Sequence, residues 1–88
     1  MTWAIVYDPR VADDLAKLDR VGQRAVLSYM ETRIAPSADP RQFGKALGHS
    51  KRGLWRYRVG DYRILCQILD NKLIVLVVAV GHRGKVYR

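Results

Sequence analysis

The chain has 88 residues, 49% of them hydrophobic, and a formal net charge of +8. That length holds one core and excludes a second, so residues 1–88 read as a single domain. The longest apolar run, Leu73 to Val80, is eight residues, far short of the roughly 20 that a membrane-spanning helix needs.

The charge is uneven. Residues 1–50 carry seven Lys/Arg against six Asp/Glu, whereas residues 51–88 carry nine against two. A basic half of this kind is the footprint of a phosphate-bearing or acidic partner. The single cysteine, Cys66, lies among apolar neighbours and cannot form an internal disulfide, so nothing points to an oxidising compartment. The first ten residues lack a basic segment followed by a long apolar one. The expectation is a soluble, cytoplasmic protein with no membrane partner.

Trp3 to Tyr7 is an apolar, partly β-branched run ended by Asp8-Pro9, and it reads as a strand buried on both faces. Asp8 suits a helix N-cap and Pro9 the first helical position. Val11, Leu15 and Leu18 then recur at helical spacing to about Leu18. Asp19 suits the cap of a second helix, whose apolar positions Val26, Leu27, Met30 and Ile34 carry it to Ile34. The two helices form a hairpin with a short joint. Pro36 and Pro40 end helical structure, and residues 35–53 read as one long connection anchored by Phe43 and Leu47.

Leu54 to Gln67, LWRYRVGDYRILCQ, alternates like two strands about a Gly60-Asp61 turn. With those two residues as the whole loop, Val59 faces Tyr62, Arg58 faces Arg63 and Arg56 faces Leu65. Side chains alternate with period two. Arg56, Arg58 and Arg63 therefore share one face, and Trp55, Tyr57, Val59, Tyr62 and Ile64 the other. Like charges opposed on a ladder are unfavourable, and a polyanion is the partner that would offset them. Asp70-Asn71 reads as another tight turn. It sets Ile68 against Leu73 and Arg63 against Val78, so that Val78, Val80 and His82 share the face of Arg63. Leu73 to Val80 reads as a central strand. The expected fold is α+β in the order β-α-α-β-β-β, a four-stranded, largely antiparallel sheet with the helical hairpin on one face. The first strand neighbours the second or the fourth.

Most chemical constellations are missing. The two histidines, His49 and His82, and one cysteine give no metal-ligand spacing, and no Ser or Cys has a His–Asp pair beside it. There is no GxxxxGK phosphate loop, and Asp61 and Asp70 are explained by turn chemistry. No metal or cofactor is expected. What remains is Arg56, Arg58, Arg63 and Arg83, with Lys51, Arg52 and Lys85 nearby in sequence and His82 and Tyr87 interleaved. Arginine forks match phosphate oxygens, and a tyrosine ring offers a base a stacking platform. Such a cluster can bind RNA and can also stabilise a phosphorane. Arginine is a poor general base because its pKa lies above about 12. His82 is the reserve candidate for proton transfer.

WRYRVGDYRILC, followed by VGHRGKVY, together with the DPRVADDLAKL helix start, resembles the RelE/ParE family of bacterial toxins from type II toxin–antitoxin systems. The resemblance runs over essentially the whole chain. It implies a metal-independent endoribonuclease that cuts mRNA in the ribosomal A site and stops translation. A cognate antitoxin, folding on binding, would hold it inactive by laying an apolar helix on the helical hairpin and an acidic segment over the basic site. By the same resemblance Arg56 and Arg58 hold the nucleophile side, Arg63 stabilises the phosphorane, Arg83 assists the leaving group and Tyr87 stacks on or orients the nucleotide. Where the best-known members carry lysine on the second strand, this chain has arginine. ParE-type members instead poison DNA gyrase and cut no RNA. A non-catalytic RNA-binding module is the third reading.

Overall fold

The computed structural model describes residues 2–48 and 53–82. A five-stranded sheet forms the frame, in the spatial order β1-β5-β4-β3-β2. The strands are β1 (Ala4–Tyr7), β2 (Lys45–Ala46), β3 (Trp55–Val59), β4 (Tyr62–Leu69) and β5 (Ile74–His82). β1 runs parallel to β5, and the other three pairings are antiparallel. Helices α1 (Val11–Ala16) and α2 (Arg20–Tyr29) lie between β1 and β2 in sequence and pack on one face.

Five strands replace the expected four. The extra one, β2, sits in the 35–53 connection and pairs Lys45 with Arg56 and Ala46 with Trp55. Leu47 extends the ladder by donating its N–H to the Leu54 carbonyl at 2.9 Å. The apolar run at the N-terminus is also corrected: β1 is an edge strand, and Val6 on its outer side is 42% exposed. Only Trp3, Ile5 and Tyr7 join the core beneath the helices. Of the two neighbours open to the first strand, the structure shows the last one, and β5 is internal.

Asp19 caps α2 as expected, its Oδ1 accepting the Gly22 N–H at 2.7 Å. Asp8 instead accepts the N–H of Arg10 at 2.9 Å, and α1 starts only at Val11. Gln23 ties the helices together by donating to the Leu15 carbonyl at 2.7 Å. After Tyr29 the helix widens into a π turn over Met30–Ile34, where the Ala35 N–H reaches back to the Met30 carbonyl. The extra residue in that turn lets Ile34 and Ala35 both face inward. Val11, Val26, Met30 and Ile34 are fully buried, each contributing about 1.5–3 kcal/mol of hydrophobic stabilisation. Leu27, expected on the same stripe, is turned to solvent.

The helix-side core contains Tyr57, Ile64, Cys66, Val75, Val77 and Val80. Tyr57 is completely buried, and its hydroxyl donates to the Pro40 carbonyl at 2.8 Å. On the opposite face a smaller cluster of Leu54, Leu65, Val78 and Ala79 is flanked by Leu47 and Leu76. Among the described residues, no helix is long and apolar enough to cross a membrane.

Candidate anion-binding face

The β3–β4 hairpin positions the arginines. Gly60 has φ 57° at the first central position of the turn, a conformation that a residue without Cβ adopts at little cost. The register that follows is Val59 to Tyr62, Arg58 to Arg63 and Arg56 to Leu65, as the turn residues predict. Arg56, Arg58 and Arg63 therefore stand on the face away from the helices. Arg58 is exposed, Arg56 and Arg63 are half-buried, and the Nε of Arg63 is buried.

β2 adds a cation that the sequence reading missed. Lys45 is the cross-strand partner of Arg56, so it stands on the arginine face. Among the described residues the face then has two ranks: Lys45 beside Arg56, and Arg58 beside Arg63. A two-residue strand is too short to show alternation, although Leu47 and Leu54 bracketing a glycine-containing segment could have marked it as a hairpin.

β5 departs from the expected register. Asp70–Lys72 forms a 3₁₀ turn and Leu73 takes a left-handed conformation at φ 51°, so Ile68 faces Val75, not Leu73. A bulge then inserts Val78: Cys66 faces Val77, while Leu65 faces Ala79. One extra residue reverses the alternation beyond it. Gly81, not Val78, ends opposite Arg63, and His82 ends opposite Tyr62. The expectation that His82 projects toward the three arginines is therefore overturned. Its ring lies 4.8 Å from that of Tyr62, tilted by 47°, on the side of the sheet where Asp14 of α1, with Lys17 and Leu18 just after that helix, lines a cavity of about 160 Å³ with it.

Arg83 and Tyr87, and with them His49, Lys51, Arg52 and Lys85, lie outside the described residues. Cys66 is fully buried, and desolvation pushes its thiol far above the usual range, which suits packing and not nucleophilic chemistry. Among the described residues no three His, Cys, Asp or Glu side chains come together as a metal site.

A helix pair laid on one side of a mixed sheet, with a row of cations on the other, defines a small α+β protein with an anion-binding sheet face. Residues 5–87 match the family described as ParE toxin of type II toxin-antitoxin system, parDE. The chain belongs to the RelE/ParE family of type II toxin–antitoxin toxins. It is 36% identical to Toxin RelG of Mycobacterium tuberculosis (strain ATCC 25618 / H37Rv), covering 100% of this chain and 99% of that protein. Its structure is similar to the toxin–antitoxin complex RelBE2 from Mycobacterium tuberculosis, with a TM-score of 0.84 at 26% identity over 97% of this chain and 95% of that one. The archaeal RelE–RelB complex from Pyrococcus horikoshii OT3 shares the fold, with a TM-score of 0.70 at 22% identity over 97% and 99% of the two chains.

Proposed function

We propose that this toxin is a ribosome-dependent mRNA endoribonuclease that works without a metal. The observation that carries this reading is the direct cross-strand opposition of Arg58 and Arg63, with Arg56 on the same face. Opposed like charges cost stability, and an anion bound between them offsets the cost. In the reaction the 2′-oxygen bonds to phosphorus as the bond from phosphorus to the 5′-oxygen breaks. A 2′,3′-cyclic phosphate and a 5′-hydroxyl result, with one proton leaving the 2′-hydroxyl and one arriving at the 5′-oxygen. Arg56 and Arg58 hold the nucleophile side and Arg63 meets the charge that grows on the phosphorane. Arg83 and Tyr87 keep the roles that the family resemblance suggests, leaving-group assistance and nucleotide stacking. His82, on the opposite face of the sheet, is not in line to carry either proton.

The cognate antitoxin is the expected partner. α2 presents Val21, 77% exposed, and Leu27 on its outer side, with Arg20 and Arg24 beside them. An apolar antitoxin helix with acidic flanks complements that surface, and an acidic continuation over Arg56, Arg58 and Arg63 would close the phosphate site.

The test is primer extension on mRNA after toxin induction. Codon-phased new 5′ ends, lost in Arg63→Ala and Arg83→Ala, are the expected result; intact mRNA during growth arrest would end the proposal. A gyrase poison is the second reading, favoured by the ParE family match over residues 5–87. It predicts inhibited supercoiling and cleaved-DNA complexes while mRNA ends stay unchanged.

A further inference from the structure

Among the described residues the arginine face holds four cations in two ranks, and the nuclease reading uses Arg56, Arg58 and Arg63, leaving Lys45 without a role. Arg58 and Arg63 form the rank next to the turn, and Lys45 and Arg56 the rank behind it. Within a rank the two strands are about 4.8 Å apart, and along β3 two residues advance about 6.6 Å. That advance is on the scale of one nucleotide step in an extended single strand. Among the described residues, no carboxylate forms an ion pair with Lys45, Arg56 or Arg58. Lys45 is exposed and Arg56 half-buried, and a single phosphodiester held at Arg58 and Arg63 would leave Lys45 without an anion.

We infer that Lys45 forms a second phosphate subsite, which takes the phosphodiester one nucleotide away, on the nucleophile side, from the one held by Arg58 and Arg63, with Arg56 standing between the two. The ligand class is single-stranded RNA running along β3, across β2 and β4. The inference rests on the proposed nuclease reading for the identity of the polyanion, and it names its second point of contact. Lys45 is a binding residue here. It touches the neighbouring phosphate and fixes the register of the strand, while the reacting phosphate stays with Arg58 and Arg63. Its ammonium acts as a point charge on a flexible stem, which suits a phosphate that must be held and not reshaped.

The experiment compares two uncleavable 2′-O-methyl RNAs, a dinucleotide with one phosphodiester and a trinucleotide with two, by NMR titration of the full chain at low salt. Lys45→Ala is expected to weaken the trinucleotide about fivefold, to lower its log–log salt slope by about 0.7, and to leave the dinucleotide unchanged. Lys45→Arg keeps the charge and should restore trinucleotide binding. Arg63→Ala should weaken both ligands. Lys72→Ala, an exposed change in the β4–β5 turn with the same loss of charge, should alter neither. If Arg63→Ala weakens both RNAs and Lys45→Ala weakens neither, or weakens both equally, the second subsite is overturned and the nuclease reading stands. If the wild type binds neither RNA, the RNA reading of the face falls and the subsite falls with it.

Discussion

The carboxylate of Asp14 accepts a hydrogen bond from the backbone N–H of Val80, 3.0 Å from Oδ2 to N and 66 residues apart in sequence. β1 ends at Tyr7, opposite Val77, so β5 runs on past its parallel neighbour. Asp14 of α1 supplies an acceptor where β1 no longer does, two residues after the bulge at Val78. That bulge decides that Gly81 faces Arg63 and His82 faces Tyr62.

Asp14→Ala should therefore cost about 1–3 kcal/mol, the range for losing a charged acceptor from a part-buried donor. It should also speed exchange of the Val80 amide and move the His82 ring resonances as stacking on Tyr62 loosens. Asp14→Asn keeps an acceptor oxygen and should recover most of the loss. Asp13→Ala, on the exposed side of the same helix, should do neither. Hydrogen exchange and urea unfolding across the three variants check this; an unchanged Val80 amide in Asp14→Ala would refute it.

Arg58 should be a site where stability and function oppose each other. Its cross-strand partner is Arg63, and like charges directly opposite cost about 0.2–1 kcal/mol relative to a neutral pair. Arg58→Gln should stabilise the free protein by an amount in that range at low salt, with the gain shrinking at high salt as the charges are screened. The same change should weaken toxicity and RNA binding. Paired urea titrations at two ionic strengths, alongside a growth assay, test both halves.

What the sequence made legible follows from how locally each feature is encoded. The Gly60-Asp61 turn admits one close hairpin, so the register of Arg58 to Arg63 follows from two residues and could be read directly. Asp19 carries its own capping chemistry and was equally plain. β5 was not. Leu73 to Val80 is apolar at every position, so it shows no alternation from which a phase could be taken, and the bulge at Val78 leaves no trace in it. The turn before it is fixed by the left-handed Leu73, a residue type that ordinarily avoids that conformation. Trp3–Tyr7 failed for the same reason: an apolar run cannot distinguish a central strand from an edge strand with one face on the core. Lys45 escaped notice because two residues carry no period. The placement of Arg56, Arg58 and Arg63 on one face was thus legible, while Lys45 beside them and the side of His82 depended on pairings distant in sequence.

The Arg41–Asp70 pair gives a pH-dependent signature. Two hydrogen bonds, 2.7 Å from Nη1 to Oδ1 and 2.9 Å from Nη2 to Oδ2, join the 3₁₀ turn at Pro40–Gln42 to the β4–β5 turn. The hydrogen bonds from Arg41 hold the Asp70 carboxyl below the usual range. A carboxyl depressed in the folded state contributes stability above its unfolded pKa, about 3.9, and that contribution is lost as pH falls through the folded value. The stability difference between wild type and Asp70→Asn should therefore be constant from neutral pH down to about pH 5 and vanish in stronger acid. It should be small and weaken with salt, since both partners are exposed. Chemical unfolding from neutral to acidic pH measures it; a difference that persists in strong acid would assign the effect to something other than the ion pair.

Gly22 and Tyr62 provide the sharpest packing test. A Cβ at Gly22 would stand 2.6 Å from the Tyr62 hydroxyl oxygen, 2.7 Å from its Cζ and 3.1 Å from Asp19 Oδ1, so the ring must move if the helix gains a methyl group. In an open helix the same change would stabilise by about 1 kcal/mol, through helix propensity. Here overpacking, typically about 1–3 kcal/mol, opposes that gain, because Tyr62 packs against the helix-side core and against His82. Gly22→Ala should thus be destabilising in the wild-type background and should displace the His82 ring resonances. In a Tyr62→Ala background the obstacle is gone, and Gly22→Ala should become stabilising. A double-mutant cycle in urea reads this reversal of sign directly. If Gly22→Ala changes stability equally in both backgrounds, the ring of Tyr62 is not what excludes a side chain at Gly22.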